Sequence, residues 1–152
     1  MKVEDIMQKN VIWVTPETTI AEVATILFEN RFHGVPVMEN DKIAGIITES
    51  DFFLKDPANL FLPTYIDVLK NTAITGDLSK EKKQEIDKFF QTKAKDIMTK
   101  KCMTVSNFMK LEDLLIFFKE TKFTTLPVVD ESEKLAGIVT LSDIIGLIKI
   151  KS

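Results

Sequence analysis

Two short runs carry most of the polar chemistry in this chain: Thr48, Ser50 and Asp51, and Thr140, Ser142 and Asp143. Each closes an apolar stretch and opens another, so each threonine stands where a strand gives way to a helix. A hydroxyl and the unpaired N–H groups of a helix start can receive a phosphate there, aided by the helix dipole. Asp51 and Asp143 would repel a phosphate at close range but suit the two hydroxyls of a ribose. The spacing admits a phosphate on the threonine side and a sugar on the aspartate side. Each such hydrogen bond to a charged group is worth about 1.5–3 kcal/mol. The same Thr-x-x-Asp pattern is also a plain capping arrangement, in which the acid serves only its own helix. Both readings stand on local sequence alone.

Little else in the chain offers reactive chemistry. Cys102 is the only cysteine and His33 the only histidine, which leaves no disulfide framework and no Cys/His metal set. Cys102 has neither a neighbouring base nor a helix N-terminus to activate it. No nucleophile sits beside a base, and five glycines leave no material for a phosphate loop of the NTPase type. A net charge of −3 provides no basic face for nucleic acid. Arg31 is the one arginine among 20 basic residues, so extended bidentate recognition of phosphates is not expected. No apolar run approaches the roughly 20 residues that span a bilayer. The first seven residues include Glu4 and Asp5 and do not read as a signal peptide. The expectation is a cytoplasmic protein without catalytic activity, with no nucleic acid and no membrane among its partners.

The elements that position the two runs come from a duplication. Asp5-Ile6-Met7 returns as Asp96-Ile97-Met98, 91 positions later, and the same offset relates Val14 to Val105, Phe32 to Phe123 and Pro36-Val37 to Pro127-Val128. One extra residue in the turn at 130–134 raises the offset to 92, at which Ala44-Gly45-Ile46 matches Ala136-Gly137-Ile138. Chance does not produce so many ordered identities.

Each copy reads as strand, helix, strand, strand, helix. Residues 11–14 are a β-branched run stopped by Thr15-Pro16, which predicts a strand. Thr19 with Glu22 forms a capping box, and Ile20, Val23, Ala24, Leu27 and Phe28 make one buried helical stripe. Leu111, Leu114, Leu115 and Phe118 repeat the stripe, but Lys110 replaces the capping threonine. Strands follow at 35–38 and 43–48, with counterparts at 126–129 and 135–140. Helices close the copies at 50–54 and 142–150. A unit of about 50 residues buries only part of its apolar surface, so two copies packed sheet to sheet complete each other. The divisions are 1–55, 56–94 and 95–152. The middle segment is too apolar for a flexible linker, with a helix start at 60–66, a loop at 75–77 and a second helix through Ile86, Phe89 and Phe90.

Gly45-Ile46-Ile47-Thr48-Glu49-Ser50-Asp51 and Gly137-Ile138-Val139-Thr140-Leu141-Ser142-Asp143 resemble the signature that closes a cystathionine-beta-synthase-type (CBS) domain. That signature is glycine, two apolar positions, Thr or Ser, two variable positions and Asp. The leading Asp-Ile-Met and the Val-Pro-Val and Leu-Pro-Val strands match as well, and the resemblance covers about 110 of the 152 residues. It implies an α/β (α+β) fold of two tandem β-α-β-β-α repeats with pseudo-twofold symmetry, plus the helical insert. It also implies two clefts for an adenosine-type ligand (AMP, ADP, ATP or S-adenosylmethionine), no required cofactor, a homodimer and a separate effector protein.

The resemblance extends to individual residues. His33 and Gly34 stand just before Pro36, where the family often places residues near the ligand's phosphates, and Thr124 and Thr125 hold the matching place in the second copy. The plain alternative for His33 is a surface histidine at a helix end. Lys101, with Lys100, either adds charge across a cleft or is a solvated pair. Ile12 and Met103 occupy strand positions that lie beside the adenine in the family, or are ordinary core. Trp13 points away, toward the insert or a partner. Because only the first copy carries a histidine, unequal clefts are expected, with His33, Thr48 and Asp51 serving a ligand of few phosphates such as AMP. The competing reading is a structural, dimerising module with vestigial clefts. In that reading the insert and the apolar closing helices, with Phe52, Phe53, Ile144, Ile145, Leu147 and Ile148, supply the interface.

Overall fold

The computed structural model describes residues 1–53 and 80–150. Helix α1 (Ile20–Asn30) starts where the capping box predicts, with Thr19 Oγ1 accepting from the Glu22 N–H at 3.3 Å. It buries Ile20, Val23, Ala24 and Leu27, and stops at Arg31, which adopts the left-handed conformation with φ 54°. Strands β1 (Gly34–Glu39) and β2 (Lys42–Thr48) then form an antiparallel hairpin, pairing Gly34 with Thr48 and Val37 with Gly45. Its turn puts Asn40 and Asp41 at positive φ, which asparagine and aspartate tolerate better than other side chains.

A 3₁₀ turn, Glu49–Phe53, stands where the first closing helix was expected. Helix α2 (Lys80–Gln91) and the short α3 (Ala94–Ile97) follow. The second copy contains β3 (Val105–Ser106), α4 (Leu111–Glu120), β4 (Thr125–Val129), β5 (Leu135–Thr140) and α5 (Leu141–Ile150). β3 runs parallel to β4, and β4 antiparallel to β5. As Lys110 implied, α4 begins with no side-chain cap.

Some sequence expectations need correction. The strand at 11–14 reduces to a single parallel bridge, Val14 to Val37. Val14 alone joins a strand, donating to Pro36 O at 3.0 Å and accepting from Met38 N at 2.8 Å, while Val11 N donates to Lys9 O at 3.1 Å. Trp13 is 53% exposed, so it joins neither core of the described residues. Phe52 and Ile144 belong to their own cores, which removes them from any dimer interface. The described part of the insert packs on the first repeat: Phe90 joins its core, and Phe89 meets Phe52 edge to face at 6.1 Å. The expected helix start at 60–66 and loop at 75–77 lie outside the described residues.

The two copies are joined by a crossing that the repeat pattern does not announce. The leading segment of each copy packs into the other. Val3 is wholly buried in the second core with Val105, Leu114, Leu126 and Val128, while Ala94 is wholly buried in the first with Ile20, Val35 and Ile47. The main-chain bonds repeat the exchange. Val3 N donates to Met109 O and Glu4 N to Asn107 O; Ala94 N donates to Thr18 O and Lys95 N to Pro16 O. Gln8 bridges Ile138 and Thr99 bridges Ile46.

The Asp-Ile-Met motif now has a physical account. Asp5 and Asp96 accept the N–H of Lys2 and Lys93 and so cap the crossing turns. Ile6 and Ile97 pack against the cores, and Met7 and Met98 lie over Gly137 and Gly45. Those glycines are steric necessities: a Cβ at Gly137 would come within 2.8 Å of Gln8 O and Met7 Sδ, and one at Gly45 within 2.8 Å of Thr99 O and Met98 Sδ. Side chains at the crossing differ between the copies. Lys93 and Lys95 both pair with Glu17 and hold its carboxyl down at about 2, whereas in the other copy Lys2 lies 4.8 Å over the Phe108 ring.

Gly137→Ala should therefore destabilise the protein by about 1–3 kcal/mol, because the carbonyl it strikes is fixed main chain. At Gly146 in α5 a Cβ meets nothing within 4 Å. Gly146→Ala should be neutral or stabilising by up to about 1 kcal/mol. Denaturant titration of both variants checks the contrast, and equal effects would refute the steric account.

Candidate functional site

The ends of β2 and β5 fold alike because the aspartate reaches back to its threonine. Asp51 Oδ2 accepts the Thr48 N–H at 2.8 Å, and Asp143 Oδ2 accepts the Thr140 N–H at 2.7 Å. The capping role of Thr-x-x-Asp is thus realised in both copies. The hydroxyls differ: Thr140 Oγ1 donates to Asp143 Oδ2 at 2.9 Å, whereas Thr48 Oγ1 lies 2.7 Å from Ser50 Oγ. In each case one carboxylate oxygen serves the turn, which leaves the other for a partner beyond it. Burial pushes the Asp51 carboxyl above its ordinary 3.8, against the lowering by Thr48.

Gly34 and Thr125 are matched positions, and they meet. A Cβ on Gly34 would lie 3.2 Å from the methyl groups of both Thr125 and Thr48. The pseudo-twofold axis therefore passes beside this contact, and the starts of β1 and β4 stand between two related clefts.

One cleft encloses about 160 Å³. Ile12, His33 and Gly34 of the first copy form one side of it, and Thr125, Thr140, Ser142 and Asp143 of the second form the other. Thr48, Ser50 and Asp51 do not line it. The expected grouping of His33 with Thr48 and Asp51 is corrected on that point. His33 touches the first copy's turn through Glu49, 3.5 Å from Nδ1, yet its cleft is completed by the second copy's Thr140 and Asp143. The reason is the crossing, which sets each copy's leading segment against the other copy's β2 or β5.

The pseudo-twofold relation carries Ile12 onto Met103, His33 onto Thr124, Gly34 onto Thr125 and Asn10 onto Lys101. Met103, Thr124 and Lys101 do not line this cleft, and Thr48 approaches it only through its methyl group beside Gly34. Ile12 and Met103 are exposed rather than core residues.

Sequence reasoning missed Gln8, Asn10, Val11, Arg31, Phe32 and Ile138 on the first cleft's wall. Arg31 carried a signal, as the single arginine two residues from His33. Gln8 carried none, because only the crossing brings it there. Its Nε2 donates to Asp143 Oδ1 at 3.2 Å. Thr125 also lines this wall, but its hydroxyl is buried behind it without a hydrogen-bond partner among the described residues, in a residue 4% exposed. Leaving such a group unpaired costs about 1–3 kcal/mol.

Comparisons with known proteins agree with this architecture. The CBS-domain family model matches residues 3–56 and 94–150. The chain is similar to the uncharacterized protein MJ1426 of Methanocaldococcus jannaschii, at 30% identity over 95% of this chain and 89% of that protein. Its structure resembles that of CBSX2 in complex with AMP, at TM-score 0.69 and 26% identity over 99% of this chain and 98% of the other. The CBS-domain pair of M. jannaschii MJ0100, solved with 5′-methylthioadenosine and S-adenosyl-L-methionine, shares the fold at TM-score 0.70 and 23% identity over 100% and 98% of the chains.

The raised Asp51 pKa has a direction that can be tested. An unfolded Asp51 ionises near 3.8 and the folded one at higher pH, so stability declines as pH rises through that window. Asn keeps an acceptor for the Thr48 N–H and has no charge to desolvate. Asp51→Asn should hold or raise Tm at pH 7 and flatten the decline above pH 4, as read by thermal unfolding across pH. A steep loss of Tm at pH 7 would contradict the burial argument.

Proposed function

We propose, from the premise that this chain belongs to the CBS-domain family, that it is a regulatory sensor module which binds an adenine nucleotide in the clefts between its repeats and catalyses no reaction. The observation that carries this reading is a cleft between the two repeats that brings Arg31 and His33 of one together with Thr140 and Asp143 of the other. Asp143 Oδ1, which accepts from Gln8, keeps a further lone pair for a ribose hydroxyl. The apolar sides, Val11, Ile12 and Ile138, suit the faces of a purine. The enclosed volume, about 160 Å³, is below the several hundred Å³ that surround a whole small-molecule ligand. It holds part of the ligand, and the phosphate falls beside Arg31 and His33, which also line the cleft. One guanidinium and one imidazole suit a single phosphate, which favours AMP over ATP. The AMP complex of CBSX2 supports the same ligand class.

The module works in this reading as a cytoplasmic homodimer that passes ligand occupancy to a separate effector protein. No helix among the described residues is long and apolar enough to cross a membrane. Helices α4 and α5 leave Leu115, Ile116, Leu141 and Ile145 exposed, which favours an interface there over the residues now seen in the core. Ile116→Glu with Ile145→Glu should halve the mass measured by light scattering, and an unchanged mass would move the interface elsewhere.

The ligand assignment is tested by thermal shift. AMP at about 100 times its Kd should stabilise the protein by about 2.7 kcal/mol, and a flat response across AMP, ADP, ATP and S-adenosylmethionine would leave the dimerising module as the function. Arg31 separates stability from binding. Its left-handed backbone costs about 1 kcal/mol that glycine does not incur. Arg31→Gly should therefore raise Tm by about 2–4 °C and weaken AMP about tenfold. Binding at full strength would remove Arg31 from the phosphate site.

A further inference from the structure

We propose that Gln8 is a specificity-determining residue of the Arg31 cleft, where its carboxamide reads the ribose hydroxyls together with Asp143. This rests on the adenosine reading above and goes beyond it to how the sugar is recognised. Three of the roughly four lone-pair sites of the Asp143 carboxylate are already engaged. Oδ2 accepts from the Thr140 N–H at 2.7 Å and from its hydroxyl at 2.9 Å, and Oδ1 accepts from Gln8 Nε2 at 3.2 Å. A ribose brings two vicinal hydroxyls. The carboxylate can accept one of them, and the second falls to Oε1 of the Gln8 carboxamide held beside it.

Gln8 is built to stay in that place. Its N–H donates to Ile138 O at 2.8 Å and its carbonyl accepts from Ile138 N at 3.0 Å, so the backbone is fixed and only the side chain has freedom. The absence of a side chain on Gly137 lets that carbonyl lie flat against β5. Gln8 is thus rigid at its root and polar at its tip, which suits a reader of orientation.

The related position in the other cleft is Thr99. Its backbone makes the same pair with Ile46, at 3.2 and 3.0 Å. Its side chain is too short to carry an amide to Asp51. Asp51 engages Thr48 much as Asp143 engages Thr140, but meets a sugar without a carboxamide beside it. The two clefts therefore read the ribose differently: a carboxylate with a carboxamide in one, a carboxylate alone in the other.

Isothermal titration with AMP, 2′-deoxy-AMP and 3′-deoxy-AMP tests this in an Asp51→Asn background, which weakens the other cleft. Gln8→Ala should weaken AMP by about three- to tenfold, the range of one neutral hydrogen bond. One of the two deoxy analogues, the one lacking the hydroxyl that Gln8 reads, should change by less than about twofold. Gln8→Asn, one methylene short, should behave as Gln8→Ala. Thr99→Gln in the Asp51-bearing protein should add the missing discrimination to the other cleft. Equal weakening of all three nucleotides, no weakening, or tighter AMP binding would overturn the proposal, the last by making Gln8 a competitor of the sugar. If the Gln8-bearing protein bound none of the three, the adenosine reading itself would fail, an outcome distinct from the others.

Discussion

The rest of the structure depends on the close approach of a carbonyl to a glycine, made twice. Gln8 O against Gly137 and Thr99 O against Gly45 let each leading segment lie on the hairpin of the opposite copy. From that contact follow the exchange of Val3 and Ala94 between cores, the capping of the crossing turns by Asp5 and Asp96, and the placement of the two clefts. Neither copy completes its core alone. Burying an aliphatic side chain of this size is worth about 1.5–3 kcal/mol, and Val3 gives that contribution to the repeat it does not belong to in sequence. The chain is therefore two repeats by sequence and one cooperative unit by packing.

The backbone keeps this symmetry more faithfully than the side chains do, because main-chain hydrogen bonds do not depend on side-chain identity. Met109 and Thr18 accept the same bond in the two halves. Around that frame the chemistry has diverged: a paired glutamate opposite a lysine over a phenyl ring, a threonine cap opposite a lysine, Gln8 opposite Thr99, and Arg31 with His33 opposite Lys122 with Thr124. Divergence of this kind leaves the fold intact and changes the clefts, where side chains do the recognising.

What the sequence made legible was local. Thr19 and Glu22 announced the start of α1, the apolar spacing through Phe89 and Phe90 announced α2, and the Val-Pro-Val and Leu-Pro-Val runs announced both hairpins. These depend on residues a few positions apart. The crossing depends on residues far apart in the chain, such as Gln8 and Ile138 or Ile46 and Thr99, and no periodicity encodes it. That is why His33 was grouped with Thr48 and Asp51, its neighbours through the hairpin, when its cleft is completed by Thr140 and Asp143.

The capping and ligand readings of Thr-x-x-Asp, which sequence left as alternatives, are compatible in three dimensions because a carboxylate has two oxygens. One is committed to the turn, at 2.8 Å in the first copy and 2.7 Å in the second, which fixes the side chain's direction without a ligand. The other is left to accept from outside the turn, as Asp143 Oδ1 accepts from Gln8. A carboxylate held this way loses little entropy on binding. The arrangement has a cost: burial of Asp51 raises its pKa, and the Thr125 hydroxyl is buried without a partner nearby. Both penalties fall where the repeats meet, at the turn after β2 and at the start of β4. Polar groups that stabilise the fold least are thus the ones placed to recognise something outside it.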